Sequence, residues 1–303
     1  MSKEAPRRRP WNVEEGSAGF GRTLSTAEDI ARTNIHYDQP AEFFATVTGG
    51  EWNTYSCNFW EPAATETQSQ ERKLDRVGEL LRLKPGMRVV DVGCGWGGPI
   101  VYLAKRFGIQ GVGITPSANQ QTFGQRRADR HGVDVTIRQG HWREFEATQP
   151  FDAVMTDEVI VHFNDLRGFF ERMRRLLKPD GLMLNKELHF TSSRAAMPTR
   201  AMVLINESFG QTGNYRTLHA ELRLLDEAGF ELERIQQIDL WHYEKTLECW
   251  VANMHKNRAR LESLVGRETY ARFQTYYRIL RRGCAARLMT LDIVVARSSL
   301  YQA

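Results

Sequence analysis

Val89-Val90-Asp91-Val92-Gly93-Cys94-Gly95-Trp96-Gly97-Gly98 decides how this chain reads: an apolar, β-branched run passes directly into a glycine-rich turn and then a helix-forming segment. Glycine there lets the backbone turn tightly and come close to a ligand, and the following helix presents unpaired N–H groups at its start. The Gly93-x-Gly95-x-x-Gly98 spacing is weak evidence alone. Its setting strengthens it, because it follows a strand, opens a helix and stands about 20 residues before the next strand end at Thr115. A dinucleotide site would place an acidic residue at that second strand end to hold ribose hydroxyls. The segment Gly113-Ile114-Thr115-Pro116-Ser117-Ala118-Asn119-Gln120 has no carboxylate, which weakens NAD binding. A tight turn without a ligand is the plainer alternative.

Outward from this motif, β-branched runs alternate with helix-length mixtures of polar and apolar residues, as in a parallel sheet flanked by helices. Strands are expected at 88–92, 111–114, 133–139, 151–156, 181–188, 231–240 and 288–296, with helices at 218–227, 245–264 and 267–282. The fold class is therefore α/β: a Rossmann-like, seven-stranded sheet with a helical N-terminal lid and helical cap insertions. Residues 1–75 read as the lid, 76–190 as the core, and 191–303 as the rest of the sheet with a substrate cap, all in one compact unit.

With 303 residues and 41% hydrophobic composition, the chain can bury one sizeable core. A net charge of +4 gives no general case for nucleic acid, and the basic Met1–Pro10 segment with Arg7, Arg8 and Arg9 reads as solvated. No run approaches the roughly 20 apolar residues of a membrane span, and the N-terminus lacks a secretory core, so a soluble, cytoplasmic protein is expected. Cys57, Cys94, Cys249 and Cys284 stand too far apart for zinc spacing or a disulfide scaffold. No metal site is expected.

The separated pieces Tyr37-Asp38 with Phe43-Phe44, Thr54-Tyr55-Ser56-Cys57, the glycine motif, Thr115-Pro116-Ser117 with Gln120, Gly140-His141-Trp142, and Tyr243-Glu244-Lys245-Thr246-Leu247 with Trp250 form a pattern. From about Tyr37 onward the chain resembles the cyclopropane fatty acid synthase and mycolic acid methyltransferase group, with the related sterol and prenyl C-methyltransferases. The resemblance implies S-adenosylmethionine as cofactor, with Gly93, Gly95 and Gln120 near its amino acid and ribose portions. Asp91 and Thr115 join that set, His141 and Trp142 lie beside the adenine, and Tyr37, Tyr55 and Ser56 close over the methionine moiety. Ordinary packing of an aromatic-rich segment is the alternative for the tyrosines.

The chain also departs from the group. Cyclopropane synthases hold a bicarbonate base with a glutamate after the fourth strand and a histidine after the fifth. Here those positions fall on Val161 and near Lys186, although His162 remains. Asp157-Glu158 stands just past the fourth strand, where open α/β sheets bind ligands and where the prenyl and sterol enzymes carry a glutamate. A carboxylate at a helix start is the alternative for Glu158. Methylation of an alkene leaves a carbocation, which aromatic faces stabilise and a carboxylate can relieve of a proton. Glu158, Tyr243 and His162 are the catalytic candidates, with Trp241 and Tyr55 as aromatic walls.

The leading expectation is C-methylation of an isoprenoid or lipid-like small molecule in secondary metabolism. The alternatives are an N- or O-methyltransferase of a small amine or phenol, a cyclopropane-forming lipid methyltransferase, or a non-enzymatic cofactor-binding subunit. Cys57 reads as structural, and Arg278, Arg281 and Arg282 as a solvated helix face rather than a diphosphate site. Substrate identity, magnesium and oligomeric state stay open; a lid of this kind can cross to a neighbouring subunit in a homo-oligomer.

Overall fold

The structure is a computed structural model that describes residues 24–62, 64–192 and 215–299. The basic Met1–Pro10 segment and the polar stretch at Met197 and Pro198 lie outside these residues. Three helices come first: α1 (Thr26–Tyr37), α2 (Ala41–Thr48) and α3 (Glu66–Leu80). Ser25 with Glu28 and Thr65 with Gln68 form reciprocal capping boxes that start α1 and α3 by satisfying free N–H groups.

The alternating part follows as β1 (Arg88–Val92), α4 (Gly98–Phe107), β2 (Gln110–Thr115), α5 (Ala118–His131), β3 (Val135–Gln139), β4 (Phe151–Asp157), a short 3-10 turn (Ile160–His162), α6 (Leu166–Leu176) and β5 (Leu177–Phe190). After it come α7 (Leu218–Glu227), β6 (Phe230–Ile238), α8 (Leu240–Lys256), α9 (Arg258–Ala285) and β7 (Met289–Ser298). The seven strands form one sheet in the order β3-β2-β1-β4-β5-β7-β6. β1 to β5 pair in parallel, and β7 inserts antiparallel between β5 and β6. The sheet matches the expectation; the helical breaks differ in part. The expected division between 264 and 267 is present as a non-helical kink at Gly266 (φ 79°) within α9, and a further break not expected from the pattern falls at Asn257.

The inner strands are apolar on both faces, as a parallel sheet covered on both sides requires. Val90, Val154 and Met183 face a cluster under α6 and α7 that includes Phe169 and Phe170. Val89, Met155 and Leu184 face the opposite cluster, where Phe43 and Phe44 of α2 pack with Trp96, Ile100 and Phe273. The N-terminal helices thus share a core with the sheet. Burying Phe43 and Phe44 completely contributes about 1.5–3 kcal/mol each.

Candidate active site

The strand order reverses direction of travel between β1 and β4, and ligands of open α/β sheets bind in the crevice at the carboxyl ends beside such a point. A cleft of about 1040 Å³, including its solvent-facing mouth, lies there. Asp91, Gly93 and Gly95 line it from β1, Thr115 and Gln120 from the β2–α5 junction, and His141 and Trp142 from the turn after β3. Tyr37, Tyr55 and Ser56 close it from the N-terminal side, and Glu158 and His162 form its inner wall. A second chamber of about 410 Å³ continues inward and is bordered by Tyr37, Tyr55, Glu158, His162, Tyr243 and Trp250, among others. Every residue singled out in the sequence as cofactor-binding or catalytic therefore borders one of two adjoining spaces. Trp241, expected as an aromatic wall, does not: it is 47% exposed on the first turn of α8.

The turn after β1 is open for a ligand. Gly95 has a left-handed φ of 53°, and a side chain added there would meet nothing within 4 Å. Asp91 Oδ2 and Trp142 Nε1 are buried in the cleft wall without a hydrogen-bond partner among the described residues. Burial pushes the Asp91 carboxyl up to about 8; the charge of Asp157 adds to this and Lys73 opposes it. An orphaned acceptor, an orphaned donor and an uncovered backbone turn in one acidic cleft suit a cationic ligand with a polar tail and a planar base. The S-adenosylmethionine set fits these residues.

At the inner wall four buried charges form a chain. Lys73 Nζ lies 2.8 Å from Asp157 Oδ2, and Lys186 Nζ lies 2.6 Å from Asp157 Oδ1 and 2.5 Å from Glu158 Oε1. Ser56 Oγ donates to Asp157 and accepts from Lys73 Nζ, so its hydroxyl is tied to this chain. Burial alone would neutralise Lys186, but Asp157 and Glu158 hold its ammonium charged above the ordinary lysine value. Burial likewise raises Asp157, and the two lysines outweigh it and keep the carboxylate ionised. Lys73 goes the other way, lowered by burial, because it faces one carboxylate and is repelled by Lys186.

Glu158 accepts from the Cys57 N–H at 2.7 Å and the Tyr243 hydroxyl at 2.9 Å besides Lys186. Its backbone is left-handed at φ 59°, a conformation costing about 1–2 kcal/mol for a non-glycine residue. Its N–H bond to the Lys186 carbonyl at 2.7 Å holds the turn in place. Tyr55 stacks on Trp250 at 4.9 Å and hydrogen-bonds with His36 and Tyr277. His162 pairs with the Tyr37 hydroxyl at 2.9 Å, and burial holds its imidazole at about 4, hence neutral. The Cys57 thiol is buried and pushed upward by that burial, consistent with a structural role.

Some residues here escaped the sequence reading. Asp29 of α1 pairs with His141 at 3.2 Å, which ties the N-terminal helix to the cleft. Lys73, Glu187, Tyr215 and Tyr276 also join the site. Arg281 is paired with Glu248 on the surface, away from both chambers.

This fold and cleft define a class I methyltransferase that uses S-adenosylmethionine. A model of the mycolic acid cyclopropane synthetase family matches residues 24–296, and the chain belongs to that family. It is 29% identical over 254 residues to the S-adenosylmethionine-dependent methyltransferase UmaA of Mycobacterium tuberculosis, covering 79% of this chain and 87% of the relative. Cyclopropane mycolic acid synthase 1 of the same species is 29% identical over 270 residues, covering 84% and 91%. The structure of mycolic acid cyclopropane synthase CmaA1 complexed with SAH and CTAB superposes with a TM-score of 0.83 at 24% identity, over 92% of this chain and 100% of that one. No helix among the described residues is long and apolar enough to cross a membrane.

Proposed function

We propose that the enzyme transfers a methyl group to an alkene carbon of a lipid-like substrate, and that the inner chamber holds the reacting alkene. The observation that carries this is the chamber itself: tyrosines and Trp250 surround it, two glutamates border it, and it shares Tyr37, Tyr55, Glu158 and His162 with the wall of the cofactor cleft. S-adenosylmethionine, when bound, supplies an activated methyl electrophile. The protein then has to place the alkene, exclude water and stabilise the positive charge left on the substrate. Tyrosine faces and the Glu158 carboxylate suit that last task.

Ring closure on an unsaturated lipid chain has the support of the name of one relative, cyclopropane mycolic acid synthase 1. Open C-methylation of an isoprenoid is the second reading, favoured by the glutamate after β4. At the positions the family resemblance gives to bicarbonate, Val161 is apolar and the Lys186 ammonium is already shared by two carboxylates. These side chains do not fit a further anion.

Turnover with oleoyl phospholipid, prenyl diphosphates, prenylated indoles, sterols and phenolic amines, read by mass spectrometry and NMR, tests the proposal. A cyclopropane or a new methyl on carbon is the expected product. Methyl gain confined to nitrogen or oxygen would refute the alkene reading.

A further inference from the structure

We infer that Glu187 is the base that removes the proton after methyl transfer, while Glu158 acts as a fixed negative charge. The inference rests on the alkene reading above. In that reaction the alkene π pair forms the new C–C bond, the C–S pair remains on sulfur, and a neighbouring carbon becomes cationic. A C–H bond beside the cation must then break. Its electron pair closes a double bond or a cyclopropane ring, and the proton goes to a carboxylate oxygen.

Glu187 is placed to receive it. It lies on β5 at the wall of the inner chamber and is 3% exposed. Its oxygens accept from the Val161 and Leu188 N–H groups at 3.1 and 2.9 Å, leaving a lone pair on each for a proton. Glu158, by contrast, is covered by an ammonium, a phenol and a peptide N–H. Lys186 and Glu187 are consecutive on a strand, so they leave it on opposite faces. The ammonium that pairs with Glu158 is therefore aimed away from Glu187.

The surroundings make Glu187 a stronger base than an ordinary glutamate. Burial, then the charge of Glu158, push its carboxyl up to about 8, against the two backbone bonds and His189. Tyr37 of α1, Tyr276 of α9, and Tyr215 and Arg216 ahead of α7 also feel its charge. A base of that strength suits proton removal near neutral pH. The other basic group at the junction, His162, is held at about 4.

The test compares E187Q and E158Q with the wild-type chain, using S-adenosylmethionine and oleoyl phospholipid vesicles or geranyl diphosphate. At saturating S-adenosylmethionine, where the Asp91-dependent binding step no longer limits, wild-type turnover should rise with pH through about 8, because the Glu187 carboxylate is required. E187Q should lose that limb and about 100-fold or more in rate, and its residual product should shift toward the alcohol formed when water captures the cation. E158Q should lose rate but keep a rising limb, moved to lower pH because the charge of Glu158 no longer raises Glu187. An E187Q enzyme with the wild-type pH profile and product ratio would overturn the inference.

Infrared titration adds a readout that needs no substrate. Asp91 and Glu187 both lie near 8, so the protonated-carboxyl absorption present near neutral pH in wild type should lose one component in E187Q and the other in D91N; an absorption unchanged in E187Q would also overturn the assignment. If wild type methylates only nitrogen or oxygen in the wider panel, the alkene reading fails, and the proton-acceptor role falls with it even where the infrared band is assigned to Glu187.

Discussion

Replacing Lys186 with methionine keeps the length of the side chain and removes its charge. Lys186 is fully buried and is the link between Asp157 and Glu158, so Lys186→Met leaves two buried carboxylates with Lys73 as the remaining cation of the chain. Removing one partner of a buried ion pair costs about 3–5 kcal/mol, mostly because the other charge is left uncompensated. With an unfolding entropy of about 2.1 cal/mol/K per residue over 303 residues, that loss lowers Tm by roughly 5–8 °C. The double variant Lys186→Met/Glu158→Gln removes one charge of each sign, and the amide oxygen can still accept from the Cys57 N–H while its NH2 donates to the Tyr243 oxygen. It should recover about 1–3 kcal/mol relative to the sum of the single losses, the range of coupling between residues in contact. Calorimetric or circular-dichroism melting of the four proteins at one pH measures both quantities. If the double variant loses the full sum, charge balance is not what makes this wall stable, and the reasoning fails.

Three further outcomes follow from the geometry. Asp91, raised to about 8 by burial, must ionise to receive a cationic cofactor, so S-adenosylmethionine affinity should rise up to about tenfold per pH unit below 8 and then level off. Calorimetric titration should show proton release on binding, and Asp91→Asn should abolish both the slope and the release; an unchanged slope would exclude Asp91. A Cβ at Gly98 would lie 1.7 Å from the Trp52 carbonyl oxygen, so Gly98→Ala should cost about 1–3 kcal/mol in melting and weaken cofactor binding by shifting the segment that carries Tyr55 and Ser56. Gly95→Ala, with open space around it, should weaken binding with less loss of stability. Burial alone would lower His189, but its bonds to Asp292 and Glu221 outweigh this and lift it to about 10. The folded value lies above the unfolded one near 6.5, so this stabilisation is complete below about 6.5 and fades by up to about 1.4 kcal/mol per unit as pH rises toward 10. Subtracting the melting curve of His189→Gln should isolate that slope.

The parts of the fold legible in the sequence are those with local causes. β-branched runs and the glycine turn fix β1 and its helix without help from distant residues, and Thr217 and Ala228 bound α7 where the pattern at 218–227 ends. The break between 264 and 267 was legible because Gly266 is a local breaker, whereas the additional stop at Asn257, made by its side-chain bond to the Asn253 carbonyl, has no such signal. Trp241 was misread for want of a helical count. Tyr243, Leu247, Trp250 and Met254 mark the inward face of α8, and a residue two before Tyr243 projects to the other side.

The charged wall left subtler traces. Gln70, Lys73, Leu74 and Val77 share the buried stripe of α3, and a lysine on such a stripe needs a buried anion to pair with. Asn185, Lys186 and Glu187 interrupt a strand that is otherwise apolar from Leu182 to Leu188, which again signals partners inside the protein. What the sequence does not carry is which charge meets which. Asp157 is 84 residues from Lys73 and 29 from Lys186, so their pairing exists only once α3 and β5 have packed beside β4. The same packing gives Glu158 a directly paired ammonium, whereas Glu187 accepts from backbone N–H groups with His189 and Arg216 acting at longer range, and this asymmetry separates a carboxylate that holds charge from one that can take a proton.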